Sequence, residues 1–113
     1  MALFCYVTKQ IVNDVTTHGV AKSRLDEFAK EIEKRQSVAG FDHFPPPCLT
    51  KKKIFGFGYR LIAAEKHFGD HLVVVLLRLV VRGDHEYSAF LDDPSTWAQR
   101  HYHDELDDAE LEA

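Results

Sequence analysis

Apolar residues change period several times along the chain, and each change marks an element. Residues 3–8, Leu-Phe-Cys-Tyr-Val-Thr, are short and rich in β-prone side chains, which predicts a first strand. From Lys9 to Thr16 the apolar positions Ile11, Val12 and Val15 fall at helical spacing, and His18-Gly19 ends the pattern. Ser23 then offers an N-cap with Asp26 three residues on, and Leu25, Phe28, Ala29 and Ile32 recur at i, i+3, i+4 and i+7. This predicts a second amphipathic helix ending near Gln36, with Glu27, Lys30, Glu31 and Lys34 on its solvated face.

Residues 36–50 carry Gly40 and Pro45-Pro46-Pro47, a composition that disfavours helix and predicts an extended, stiff connection. β-Prone residues return from 54 to 64, with Gly56 and Gly58 as the points where this stretch would split into two strands or bulge. Phe68-Gly69-Asp70 predicts a turn, and residues 72–81 are almost continuously apolar, as expected of a central strand buried on both faces. The second helix is expected to pack on that strand. Helical spacing resumes around 87–91, and Asp93-Pro94 predicts a further helix start. The predicted fold is α+β: β-α-α-β-β(-β), two N-terminal helices on one face of a small, mostly antiparallel sheet.

At 113 residues the chain has room for one core. Its longest apolar run is cut by Arg78 and falls short of the ~20 residues that span a bilayer, so no membrane association is expected. The start of the chain lacks a basic leader with a cleavage site, and the default expectation is a cytoplasmic protein. Cys5 and Cys48 form no C-x-x-C pair, and Cys5 reads as a buried free thiol. His101-x-His103 and the pair His67 and His71 lack the four-ligand spacing of a structural zinc site, so neither a metal nor another cofactor is expected.

Charge divides the chain in two. Residues 1–91 hold 13 Lys and Arg against 10 Asp and Glu, a balance of +3, whereas residues 92–113 hold 1 against 8, a balance of -7. The first segment is expected to be the folded domain and the second a short helix with an acidic tail or linker, which either stays solvated or lies over a basic face.

The basic residues of the first segment gather around two strands. Lys51-Lys52-Lys53 precede Gly58-Tyr59-Arg60-Leu61-Ile62, and Arg82 followed by Tyr87 leaves the end of the next strand. With the predicted element order, these stretches resemble the RelE/ParE toxin superfamily over residues 3–91. The resemblance implies a toxin held in check by a small antitoxin protein, acting either as an endoribonuclease on messenger RNA, on the ribosome in many members, or as a gyrase poison. The RelE branch carries two lysines separated by one residue before the Gly-Tyr-Arg strand, which Lys51 and Lys53 match. Arg60 matches the strand arginine, Arg82 the arginine that ends the following strand, and Tyr87 the tyrosine after it. The last interval is one residue shorter than in the family pattern, so His85 is the alternative at Tyr87's place and, with Lys52, a candidate substrate-binding group.

RNA cleavage needs a base for the 2'-hydroxyl, cations for the phosphorane-like transition state and an acid for the leaving 5'-oxygen. Crowded lysines depress one another's pKa, which suits Lys51 or Lys53 to the first role, and Arg60 and Arg82 suit the second. No metal is required. Against this stand an isoelectric point of about 5.9, low for a ribosome-directed protein, and the acidic C-terminal segment. They leave a second expectation open: a non-catalytic RelE-like module that binds nucleic acid or protein, such as the first domain of a larger nucleic-acid enzyme. Arg60 and Arg82 also have a purely structural option, ion pairs with Glu65, Asp84 or Glu86.

Overall fold

A computed structural model describes residues 2–44, 48–52, 54, 58–94, 96–97 and 100. It contains, in order, β1 (Leu3–Val7), α1 (Lys9–Thr17), α2 (Lys22–Arg35), β2 (Asp42–Phe44), β3 (Cys48–Lys52), β4 (Tyr59–Phe68), β5 (His71–Val81) and α3 (His85–Asp92). The five strands form one sheet in the order β1-β5-β4-β3-β2, antiparallel throughout except for the parallel pair β1 and β5. The parallel pair follows from connectivity, since both helices lie between β1 and the rest of the sheet. The fold is α+β as expected, and no helix among the described residues is long and apolar enough to cross a membrane.

Two cores flank the sheet. Ile11 and Val15 of α1 and Leu25, Ala29 and Ile32 of α2 pack with Leu61, Ala63, Val74, Leu76 and Leu79 on one face. On the other face Tyr87 and Phe90 of α3 join Trp97, Ile62, Ala64, Val73, Val75, Leu77 and Val80. β5 is thus buried on both sides, the physical basis of its almost continuous apolar run.

The helix packing differs from expectation in one respect: α1 lies on β5, and α2 lies mainly on β1 and against α1. The short connection from β1 into α1 carries the first helix across β5, leaving β1 for the second. α2 also starts one residue before the expected cap. Its N-cap is Ala21, without a side-chain hydrogen bond, and Ser23 lies inside the first turn. At the other end Gln36 takes a left-handed conformation, φ 52°, unusual for a side chain with a Cβ. Its amide compensates by accepting from the Leu3 N–H at 2.7 Å and donating to the Leu3 carbonyl at 2.8 Å, while Glu33 accepts from the Cys5 N–H at 3.3 Å. The outer edge of β1 is therefore closed by side chains of α2 and its cap.

The segment expected to be a plain connection contains two strands. β2 and β3 pair antiparallel on either side of the three prolines, with Phe44 opposite Cys48. Prolines exclude helix but are compatible with the connection of a short edge hairpin, where no ladder donor is needed. β4 starts at Tyr59, directly after Gly58 at φ 92°, one of the two glycines expected to break the stretch 54–64, and runs on to Phe68. The expected turn after Phe68 is a two-residue hairpin loop in which Gly69 has the positive φ, 56°, that such a loop demands at its first central position.

Cys5 is a free thiol, partly buried in the α1/α2 face. Burial, reinforced by the Glu33 carboxylate, pushes its pKa from 9.0 up to about 12. Because the unfolded thiol ionises near 9 and the folded one only near 12, this group lowers stability as pH rises through 9 and has no effect on stability below it. Native Cys5 is expected to resist iodoacetamide at pH 8.5 and to label rapidly in 6 M guanidinium, with mass spectrometry locating the adduct. Equal labelling rates in the two states would contradict this environment.

Candidate nucleic-acid interface

Of the expected site residues, Lys52, Arg60, Arg82, His85 and Tyr87 lie towards the end of the sheet where β4 begins and β5 ends. β-Pairing sets Lys52 of β3 opposite Arg60 of β4, and Arg60 opposite Val80 of β5. Three adjacent strands, each ~4.8 Å from the next, thus supply Lys52, Arg60 and the stretch leading into Arg82. The Arg82 N–H donates to the Gly58 carbonyl at 2.7 Å, which fixes the start of the β5–α3 turn against the start of β4. Gly58 holds its φ of 92° at this junction, a backbone shape that residues with a Cβ seldom adopt.

Arg60 and Tyr87 meet. The guanidinium carbon lies 5.9 Å from the centre of the Tyr87 ring, and Nη1 donates to the Tyr59 carbonyl at 3.0 Å. A cation over an aromatic face gains roughly 0.5–2 kcal/mol according to its desolvation. Tyr87 itself is only 8% exposed, and its ring stacks on Phe90 at 6.5 Å with 14° between planes. It forms a floor under Arg60. Arg82 and His85 are exposed, His85 as the first residue of α3. Asp84 caps that helix by accepting from the Glu86 N–H at 3.3 Å.

The structural option for the two arginines is not taken up. Among the described residues no ion pair reaches Arg60 or Arg82: Glu65 lies 3.8 Å from His43, and Glu86 lies 4.0 Å from Arg78. Lys51 pairs in register with Leu61, one position along from the Lys52–Arg60 pair. Lys53 lies outside the described residues, as do His101 and His103. Among the described residues no three His, Cys, Asp or Glu side chains come together to hold a metal.

A second polar system, not anticipated from the sequence, supports this end of the sheet. β1 accompanies β5 only as far as Leu76, and beyond it the β5 edge is closed by Thr8 and Asp14. The Thr8 hydroxyl donates to the Leu76 carbonyl at 2.7 Å, and Asp14 Oδ2 accepts from the Leu79 N–H at 2.9 Å. The same oxygen accepts from Arg78 Nε at 2.6 Å. Arg78 also approaches Glu86, whose Oε2 accepts from Trp97 Nε1 at 2.7 Å. One chain of contacts therefore links α1 to α3, the helix that carries Tyr87. The available signal was Asp14 itself, an acid three residues after Ile11 on the apolar stripe of α1.

Trp97 lies beyond the expected boundary at residue 91, yet it is 2% exposed and packs edge-on against Phe90 at 5.3 Å. Asp93 prepares this turn, its carboxylate accepting from the Thr96 N–H at 3.2 Å and its carbonyl from the Trp97 N–H at 3.0 Å. The Thr96 backbone N–H, with its hydroxyl, holds the Asp93 carboxyl below the usual aspartate pKa. Comparison of the chain with protein-family models and with curated proteins returned no match.

Proposed function

We propose that this chain is a RelE-like endoribonuclease that cuts messenger RNA, including message held on the ribosome, and that a small antitoxin protein is its natural partner. The observation carrying the proposal is the convergence at one end of the sheet of Lys52, Arg60 and Arg82, with neither arginine ion-paired among the described residues and Arg60 held over Tyr87. Such an array suits a phosphodiester, whose oxygens accept paired guanidinium donors. Lys52, the lysine in register with Arg60, would take the 2'-hydroxyl proton, and Arg60 and Arg82 would bear the charge that develops on the phosphoryl oxygens. Tyr87 is too enclosed for proton donation to suit it, so exposed His85 takes the role of acid for the leaving 5'-oxygen.

The test is expression of the whole chain, since Trp97 belongs to the packed body. Growth should stop and new 5'-ends should accumulate within translated messages. Arg82→Ala and His85→Ala should each relieve both effects with an unchanged circular dichroism spectrum, and Tyr87→Phe, which keeps the stacking, should not. Harmless expression with intact messages would remove the enzyme and leave the second reading, an RNA- or protein-binding module of the same shape. The enclosure of Tyr87 is the observation that favours that module.

A further inference from the structure

Among the described residues the packed body ends at Trp97, and Trp97 is anchored on the same sheet face as Arg60. Ring by ring, Arg60 lies 5.9 Å from Tyr87, Tyr87 6.5 Å from Phe90 and Phe90 5.3 Å from Trp97, so guanidinium and indole are no more than about 18 Å apart. The chain beyond Arg100 contains no Lys or Arg and six acidic residues, Asp104, Glu105, Asp107, Asp108, Glu110 and Glu112. Six residues, seven steps of chain, separate Trp97 from Asp104; at ~3.3–3.6 Å each they span at most roughly 25 Å, and the helical state of Trp97 and Arg100 shortens this to about 19 Å. The first carboxylates thus come within reach of Arg60, and the next residues reach past it.

We propose that the acidic segment 104–112 docks on the Lys52, Arg60 and Arg82 end of the sheet and competes there with polyanionic RNA. This rests on the RNA reading for what is excluded, while the docking itself rests on reach and charge. The acids nearest the site leave the arginines to the incoming segment: Asp84 caps α3, and Glu86 faces Arg78 and Trp97. A tethered segment has an effective concentration on the order of 1 mM, so even an intrinsic dissociation constant of about 0.1 mM would weaken RNA binding about tenfold. Six carboxylates against three cations also make the effect salt-sensitive, since exposed charges are screened over ~10 Å at 0.1 M.

The experiment compares the intact chain with a full-length variant carrying Asp104→Asn, Glu105→Gln, Asp107→Asn and Asp108→Asn. In proton–nitrogen NMR spectra at 50 mM salt, the amides of Gly58, Arg60, Arg82 and Gly83 should shift between the two proteins, and those of Lys30 and Lys34 on α2 should not. Unmoved amides at the sheet end, or movement centred on α2, would overturn the proposal whatever RNA does. Fluorescence anisotropy with a labelled 20-nucleotide single-stranded RNA supplies the second arm. The variant should bind about tenfold tighter at 50 mM salt, with the gain shrinking towards 200 mM. Shifted amides with no RNA binding by either protein would keep the docked segment and reject the RNA reading. RNA binding that is equal in both proteins would reject competition and keep that reading.

Discussion

Val75→Asp is expected to leave no folded domain. Val75 is fully buried in the α3-face core, with Tyr6 of β1 and Ala64 of β4 as its register neighbours. A carboxylate there meets apolar side chains on a strand already hydrogen-bonded on both sides. An unpaired buried charge costs several kcal/mol, a large part of the ~5–15 kcal/mol that stabilises a domain of this size. Far-UV circular dichroism and gel filtration should report an unfolded or aggregated chain, whereas Val75→Ala, losing about 2 kcal/mol, should still fold. A cooperative thermal transition in the Val75→Asp protein would show that β5 is not a strand buried on both faces.

Asp14→Ala should cost about 3–5 kcal/mol, nearly as much for a substitution on a helix as the loss of a large core side chain. It removes the acceptor of both Arg78 Nε and the Leu79 N–H, leaving a guanidinium whose side chain is 17% exposed and a buried amide without a partner. Asp14→Asn keeps a neutral oxygen for the amide and loses only the charge, so its cost should be about half. Urea denaturation with an unchanged m-value measures both. In a double-mutant cycle with Arg78→Met, the coupling should exceed about 1 kcal/mol. A loss under 1 kcal/mol for Asp14→Ala would mean that water, not Asp14, satisfies the exposed end of the β5 edge. Because Arg78 also faces Glu86, the variant should loosen α3, visible as faster amide exchange at Tyr87 and Phe90.

Local periodicity was sufficient for much of this fold. Ile11 and Val15, then Leu25, Ala29 and Ile32, repeat at helical spacing because each helix must turn one stripe to the sheet, and the apolar run of β5, broken only at Arg78, states that both its faces are covered. Gly69 and Gly58 mark backbone turns that a Cβ would strain. The proximity of Arg60, Arg82 and Tyr87 was also legible, since it needs only that consecutive strands pair.

Long-range contacts decided the remainder. β5 contains a register shift: Ile62 pairs with Arg78 and Ala63 with Leu76, so Leu77 is the extra residue. Before it the even-numbered Leu72, Val74 and Leu76 face α1 and α2; after it Leu79 does. Where every residue is apolar, alternation cannot reveal such a change of face, because both faces satisfy the same pattern. Arg78 interrupts the run because it stands beside this irregularity, where Asp14 arrives from α1, and only the crossing of α1 over β5 brings those two residues together. Tyr87 belongs to the same class. Its spacing to Arg82 placed it near the site, but the packing of Phe90 and Arg60 against its ring, within the core that Trp97 joins, determined that it is a buried support, a fact no local pattern carries because Arg60 comes from a separate strand.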